Sequence, residues 1–496
     1  MNLLRYRVLL ASIVLWAAYA TFALAPPEQR IPAIFVSATA FAAVLALVPG
    51  CAPIPRTPIC PWNWALFVFF LQLVGLPCLV MISGASLGTL PNLPSPFALN
   101  AVLLINAIAF VAFCSSYSHF SAGSSHRIDR LTASIGRESF PADELPTLIG
   151  IIYVGLGITG VFLTFGSLAG LWEYWTSPAS YHDAIADLSS SWQGFLGIVL
   201  TTFLGFSSVV LWCRLIRYRG RLLSILLRVP LTLLSLAIVV VSFGMFNHNR
   251  GAFAAPLVAI GAVSLAKLDK VSTRTLLVTG VVILSLMPAY ALYRMAKFTA
   301  ADLIADQGAR ESISRQIDLV HVAQLYGGAP QFLGFFLEAT NWAQDLHFGE
   351  VTVSSVISPV PRLGKSFRAH SGTAIFNQAI YGTGGSQDQI VPFQGELFVD
   401  FHLLGVIAGY CLLGWIIARI QRKFEASRSL IDIYTSQYAA VWVCVAVFGS
   451  ISIVSQTFVY FFWPVYVYLF LANLRPRRSL PTSRTYLAAV PAPRPT

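Results

Sequence analysis

Long apolar segments recur along the chain, and the polar and charged residues are concentrated between them. Because an α-helix rises about 1.5 Å per residue, about 20 consecutive apolar residues are enough to cross the hydrocarbon core of a membrane. Segments of this kind lie at 8–25, 31–48, 62–84, 97–115, 147–167, 192–213, 229–246, 252–266, 275–292, 397–418, 434–452 and 455–472. We therefore expect an all-α integral membrane protein with about 12 transmembrane helices, whose two termini lie on the same side of the membrane.

These segments divide the chain into four parts. Residues 1–292 hold transmembrane helices 1–9 and residues 397–472 hold helices 10–12, whereas 473–496 form a basic tail. The long loop between them, 293–396, is too aromatic and too patterned to be disordered, and loops of this length are usually functional. Apolar residues at helical spacing predict an amphipathic helix at the membrane surface over 300–326, and 332–339 is apolar but too short to cross.

Composition supports the membrane assignment and excludes an ordinary soluble protein. Only 11% of the 496 residues are charged and 56% are hydrophobic, whereas a soluble domain carries about 25% charged residues. The net charge of +11 does not indicate nucleic-acid binding, because the Lys and Arg residues occupy short gaps between apolar segments. The seven cysteines include no CxxC pair, so we interpret them as small buried side chains rather than metal ligands.

The distribution of charge predicts the orientation. With the N-terminus in the cytoplasm, 23 of the 32 basic residues fall inside, and 14 of the 21 acidic residues fall outside. This asymmetry follows the positive-inside rule. We expect a multi-pass protein with both termini in the cytoplasm and the loop 293–396 on the outer side of the membrane.

The chain lacks several signatures of soluble enzymes. It contains no GxxxxGK[ST] loop, no Rossmann glycine fingerprint, no HExxH and no GxSxG. A substrate at the outer face would therefore have to bring its own chemical energy, and no metal or other cofactor is expected.

The segment Asn247-His248-Asn249-Arg250-Gly251 lies at the predicted outer end of one span. Arg250 could be a snorkelling arginine at a helix end. Alternatively, its guanidinium could grip phosphate oxygens bidentately in a tight polar turn. Arg294 and Lys297 follow the predicted span 275–292 and present the same choice, between interfacial anchoring and a second contact to a diphosphate.

Within the long loop, Arg362, Lys365, Arg368 and His370 place four cationic or titratable groups in nine residues. They could form a solvated face or contact lipid headgroups. Alternatively, the arginines could stabilise a leaving diphosphate while His370 acts as an acid or base near neutral pH. His321 is a second candidate histidine, although its predicted helix face suits a packed side chain equally well.

Glu396 and Asp400 stand where the next apolar span opens. A carboxylate at a helix N-terminus is stabilised by the helix dipole, so this placement could be structural. Glu396 could equally be a general base that activates a sugar hydroxyl.

These features together resemble the Wzy-type O-antigen polymerases, also called oligosaccharide repeat-unit polymerases. The likeness lies in about 12 spans with one long periplasmic loop, in the Asn249-Arg250-Gly251 step, and in the Ser358-Pro-Val-Pro361 loop leading to Gly395-Glu396. A glycine often follows the phenylalanine of the last motif in that family, whereas this chain has His402 after Phe401.

The resemblance implies a metal-independent glycosyltransferase with GT-C-like architecture. Such an enzyme polymerises undecaprenyl-diphosphate-linked repeat units, and the lipid diphosphate is the leaving group. Arg250 and Arg294 match the family's outer-face arginines best, whereas Arg362, Arg368, His370 and Glu396 match more loosely. The implied partners are the lipid-linked oligosaccharide, membrane lipid, and the chain-length regulator and flippase of the same pathway; no nucleic acid is implied.

Three other functions fit the same pattern, and one of them is a non-catalytic membrane scaffold for glycan export. An O-antigen ligase-like enzyme shares the long loop but hands the polymer to a different acceptor. A lipid-linked oligosaccharide flippase should show internal symmetry and charged residues within its spans, and the sequence shows little of either.

Overall fold

The helices of the protein follow the apolar segments of its sequence. The computed structural model describes most of the N-terminal region and most of the region after residue 330. The described ranges are 3–51, 53–54, 60–84, 94–121, 147–167, 169–170, 192–215, 330–361, 363–382, 391–427 and 430–474. Within these ranges every regular element is a helix.

Among the described residues of the N-terminal half there are seven α-helices. They are α1 (Leu3–Leu24), α2 (Ile34–Leu47), α3 (Pro61–Phe70), α4 (Leu76–Ser83), α5 (Pro96–Ser121), α6 (Thr147–Phe165) and α7 (Trp192–Leu215). A π-helical turn, Leu71–Gly75, joins α3 to α4 into one continuous segment. It lies just before Pro77, whose ring has no N–H and crowds the carbonyl four residues earlier, so a wider turn accommodates the proline.

Eight more helices follow residue 330. They are α8 (Pro330–Ala339), α9 (Glu350–Ile357), α10 (Leu363–Phe367), α11 (Gly372–Tyr381), α12 (Phe393–Glu425), α13 (Leu430–Val445), α14 (Ile451–Tyr460) and α15 (Trp463–Leu474). Helices α8 to α11 are short and belong to the loop 293–396 of the sequence. Helix α8 is bonded to the start of the long helix α5, because the Glu338 carboxylate accepts from the Ser95 backbone N–H at 3.2 Å. Helix α11 packs in turn on α8, where Phe376 contacts Phe336.

Helix α12 is a tight hairpin rather than one straight rod. The backbone leaves helical geometry at Phe401 and His402. The rings of Phe393 and Tyr410 lie 5.6 Å apart, although residues separated by 17 positions would be about 25 Å apart along a straight helix. Residues 393–400 therefore form a short arm, which folds back along the start of a long arm, 403–425. The structure differs here from the predicted span 397–418, because the chain reverses direction inside it.

Glycines permit the close approach of the two arms. A Cβ on Gly405 would collide with the backbone oxygen of Leu397, and one on Gly409 would collide with the Leu397 side chain. Farther along the long arm, a Cβ on Gly414 would collide with the carbonyl oxygen of Phe113 on α5. Small residues at such positions let helix backbones pack closely.

A buried aromatic cluster joins α3, α5 and α12. Trp62 stacks on Tyr117 with ring centroids 3.7 Å apart, and Phe69 contacts both Phe113 and Tyr410. These rings are fully or nearly fully buried. The burial of these rings stabilises the packing of α3 and α5 against the α12 hairpin. The short helices α8 to α11 pack as a group on these long helices.

The apolar helices meet the length requirement for crossing a membrane. Among the described residues, four helical segments are long and apolar enough to cross a membrane: α1, the continuous segment of α3 and α4, α5, and α12. A fifth is added if α14 and α15, which are bent by 53° relative to each other, count as one span. The predicted spans 229–246, 252–266 and 275–292, the amphipathic helix 300–326 and the tail beyond 474 lie outside the described residues. The protein is thus all-helical and suited to a membrane, while the number of 12 spans and the GT-C-like architecture stay predictions.

Candidate functional site

The predicted site residues divide between two groups. Arg250, Arg294, Lys297 and Arg362 lie outside the described residues. Arg368, His370 and Glu396 are described, and the structure brings them into one assembly of short helices. That assembly is built on the short arm of α12 and comprises α9, α10 and α11.

Asp400 holds the beginning of α9. Its carboxyl oxygens accept hydrogen bonds from two successive backbone N–H groups, Val351 at 3.1 Å and Thr352 at 2.8 Å. The Asp400 side chain is fully buried. The first N–H groups of a helix have no partner within the helix, and the helix dipole favours negative charge there. Asp400, a residue of α12, thus provides the hydrogen-bond acceptors for the first N–H groups of α9.

Glu396, one turn earlier on the same arm, joins three elements. It is fully buried. Its Oε1 accepts from the Ser355 hydroxyl at 2.7 Å, and its Oε2 accepts from the Ile451 backbone N–H at 2.6 Å, in the first turn of α14. With both oxygens engaged and no exposed surface, Glu396 is placed to hold helices together. An acceptor sugar could not reach it in this arrangement.

Ser355 extends this network to α11. Its hydroxyl oxygen accepts the backbone N–H of Gly372 at 3.1 Å while the hydroxyl donates to Glu396. Glycine is required at this first position of α11, because a Cβ on Gly372 would collide with Cγ and Oε1 of Glu396. The N-termini of α9, α11 and α14 therefore all depend on two carboxyl groups of one short arm.

The predicted cations lie on a surface turn next to this network. Arg368–His370 form a single 3₁₀ turn directly before α11, and its residues are exposed. The Arg368 Nε donates to the backbone oxygen of Ser358 at 3.2 Å. Ser371 closes the turn, since its hydroxyl donates to the Arg368 carbonyl at 2.8 Å and accepts the Ala374 N–H.

His370 pairs with Glu350, the first residue of α9. Its Nδ1 lies 3.0 Å from Glu350 Oε1, and the two side chains are 60% and 51% exposed. His347 Nδ1 lies 3.7 Å from the other carboxyl oxygen. A carboxylate on one imidazole nitrogen orients the ring and leaves the second nitrogen, Nε2, for proton transfer. This pair, beside Arg368, is chemically the most capable group on the described surface.

Sequence reasoning missed Glu350 and Ser355. Glu350 follows Gly349, which has a φ of 94° directly before the helix begins. A glycine at this position is also a sign of the helix start in the sequence. The partner of Glu350 stands 20 positions later, and no local pattern brings the two together. Ser355 looks like an ordinary small residue until the α12 arm is in place.

The described residues offer no arrangement for a metal ion. Within the described ranges, no group of three or more His, Cys, Asp or Glu residues could hold one. Six cysteines with described side chains are free thiols, of which Cys51, Cys60, Cys114 and Cys444 are buried and Cys78 and Cys411 are partly buried.

The described residues are all-helical, and their long apolar helices are compatible with a membrane protein. Comparison of the chain with protein-family models, with curated proteins and with solved structures finds no match. The function must therefore be argued from the residues themselves.

Proposed function

We propose that this protein is a membrane glycosyltransferase that polymerises undecaprenyl-diphosphate-linked oligosaccharide repeat units on the outer face of a bacterial inner membrane. The sequence supports this through its charge asymmetry, its lack of nucleotide-binding motifs and its resemblance to the Wzy-type polymerases. The observation that carries the proposal is the exposed His370–Glu350 pair beside Arg368.

In the proposed reaction, His370 is the general base. Nε2 takes the proton of an acceptor sugar hydroxyl, whose oxygen attacks the anomeric carbon of the donor. The bond between that carbon and the diphosphate oxygen breaks, and undecaprenyl diphosphate leaves with the bonding electrons. Glu350 holds the imidazole and stabilises the imidazolium that forms, as an orienting carboxylate does for a catalytic histidine.

The proposed role of the cationic residues is to offset the charge of the diphosphate. Arg368 lies two residues from His370 and is exposed. Arg250, Arg294, Lys297 and Arg362 are proposed to complete this diphosphate-binding set. Guanidinium groups suit phosphate oxygens because they bind them bidentately and remain charged at every relevant pH.

Glu396 takes a different role from the predicted base. Both of its oxygens already accept hydrogen bonds from Ser355 and Ile451 at full burial. A general base must come within hydrogen-bond reach of the proton that it abstracts. We therefore assign the base to His370 and treat Glu396 as a supporting group.

The deciding experiment is a profile of lipid-linked saccharides in cells that lack the protein, with their membrane side assigned. Accumulation of single repeat units on the outer leaflet, with no long chains, supports a polymerase. Repeat units trapped on the inner leaflet would indicate that the protein is a flippase, and the proposed catalytic roles would then be wrong. Full-length polymer left on its lipid carrier would indicate a ligase with a different acceptor.

Substitutions at the His370–Glu350 pair test the mechanism. We expect His370→Ala to lower the rate of glycan elongation by about 100-fold or more, because removing a general base commonly costs that much. Glu350→Gln should lower it less, because the imidazole remains. The measurement is polymer length and rate in membranes matched for protein level.

His119→Ala is the matched control, since His119 is also exposed but lies in the last turn of α5. It should elongate glycan at the wild-type rate. Normal elongation by His370→Ala would remove His370 from the reaction.

A further inference from the structure

The turn that carries Arg368 and His370 is tied to α9 through the side chains at both of its ends. Arg368 is tied to the backbone of Ser358, at the end of α9, and His370 is tied to Glu350, at its beginning. Both ends of the turn therefore depend on α9. The position of His370, the candidate base, therefore depends on the position of this eight-residue helix.

Helix α9 is itself too short to be stable alone. Its exposed face includes Val353 and Val356, while Val351, Ser354 and Ser355 are buried. Its polar anchors are Asp400, at its first turn, and Glu396, through Ser355. A path of polar contacts thus runs from the α12 arm to α9 through hydrogen bonds, and from α9 to His370 through the Glu350 pair.

A second path reaches the same turn from the other side. Glu396 engages Ser355, and Ser355 accepts the Gly372 N–H two residues after His370. Ser358 also donates to the Ser355 carbonyl at 3.0 Å. The contacts on both sides of the turn therefore lead back to the buried carboxyl groups of Asp400 and Glu396.

We propose that Asp400, Glu396 and Ser355 are positioning residues for the His370–Glu350 pair. They hold α9 and the start of α11 so that the imidazole keeps its pairing with Glu350. This inference rests on the proposed function for its effect on catalysis, but the positioning itself is independent of the reaction. None of the three residues touches substrate in this assignment.

Asp400→Asn is the most direct test. The asparagine keeps the size of the side chain and one acceptor oxygen, but its NH₂ group would face a backbone N–H that needs an acceptor. We expect kcat for elongation to fall between about 10-fold and 100-fold with little change in KM, because displacement of a catalytic group by about 1 Å has effects of that size.

A double-substitution cycle separates positioning from a general loss of stability. If Asp400 acts through His370, then Asp400→Asn should cause no further loss in a His370→Ala background. Independent, additive losses would overturn the proposal. Asp345→Asn is the control, because Asp345 is exposed and lies in the same segment, five residues before Glu350.

A measurement independent of activity distinguishes this proposal from the proposed function. Diethyl pyrocarbonate acylates unprotonated imidazole, and mass spectrometry reports the rate at each histidine. We expect Asp400→Asn and Ser355→Ala to raise the rate at His370 several-fold, with His119 unchanged as an internal reference. An unchanged rate at His370 in both variants would overturn the proposal. A raised rate at His370 in the variants, found together with no polymerase activity in the wild-type protein, would uphold the positioning and reject the polymerase.

Ser355→Ala guards against a variant that does not fold. It removes one hydroxyl and leaves the contacts of Asp400 intact, so α9 should remain in place at its beginning. We expect a smaller loss of kcat than for Asp400→Asn and the same lack of additivity with His370→Ala. An Asp400→Asn protein that failed to insert would therefore leave Ser355→Ala to decide, and additive loss there would overturn the proposal.

Discussion

His402 occupies a backbone conformation that few residues adopt. Its φ is 50° and its ψ is −147°, a region that glycine enters easily and that strains any residue with a Cβ. This conformation, together with that of Phe401, reverses the chain between the two arms of α12.

We expect His402→Gly to be more stable than His402→Ala, by about 1–2 kcal/mol. At an ordinary helical position the order is the opposite, because glycine loses more backbone entropy on folding. Both substitutions lose the edge contact between the rings of His402 and Phe398, 5.1 Å apart, so their difference reports the backbone alone. The measurement is the thermal midpoint in detergent.

The ordinary order, with the alanine variant equal or more stable, would contradict a strained turn at this position. It would then follow that the two arms of α12 reverse without cost at His402.

At the scale of the helix, α6 and α7 form the clearest example of packing through small residues. A Cβ on Gly160 would collide with the backbone N of Thr201, and one on Gly157 would collide with the side chain of Leu204. On the facing helix, a Cβ on Gly197 would lie 2.5 Å from Thr164 Oγ1. Glycines of this kind let two helices approach without a hydrophobic driving force between them.

Gly160→Ala should therefore destabilise the protein by about 1–3 kcal/mol, because inserting a methyl group into a packed interface forces the helices apart. The control is Gly155→Ala on the same helix, where a Cβ would meet nothing within 4 Å. That substitution should be neutral or stabilising, since alanine favours helix. Thermal midpoints and amide hydrogen exchange along α6 would measure both.

Equal effects at the two glycines would mean that the contact between α6 and α7 does not depend on close backbone approach.

For the whole molecule, the distribution of charge predicts how the chain is oriented. The described helices supply apolar segments that suit a membrane, and the basic residues between the predicted spans favour a cytoplasmic N-terminus. The short helices α8 to α11 would then lie at the outer face. The proposed reaction depends on this orientation, because lipid-linked repeat units are polymerised there.

Reporter fusions test the orientation. Alkaline phosphatase folds into an active enzyme only outside the cytoplasm, whereas green fluorescent protein becomes fluorescent inside. We expect phosphatase activity from a fusion after Asp183, in the predicted outer loop 168–191, and fluorescence from one after Arg137, in the predicted inner loop 116–146. Phosphatase activity at Arg137 would reverse the predicted orientation and place His370 on the cytoplasmic side.

Part of the site was also accessible from the sequence. Arg368 and His370 stand out because cations are rare on the predicted outer side, which is otherwise acidic. The pair of carboxyl groups Glu396 and Asp400 stands out where a predicted apolar span begins. The sequence left open whether Glu396 is structural or catalytic. Its hydrogen bonds to Ser355 and Ile451 favour the structural alternative, because a carboxyl group engaged on both oxygens at full burial is not within reach of a substrate.

The sequence by itself determined that the chain has long apolar segments suited to membrane-spanning helices, because local hydrophobicity over about 20 residues decides whether a segment prefers lipid to water. It also located α8 as apolar and too short to span. Only the tertiary structure decided that α12 reverses at His402, that α8 to α11 pack onto the long helices, and that Glu350 meets His370. These contacts join residues far apart in the sequence, and their partners are chosen by packing and by the need to satisfy buried N–H groups, neither of which leaves a periodic mark on the chain.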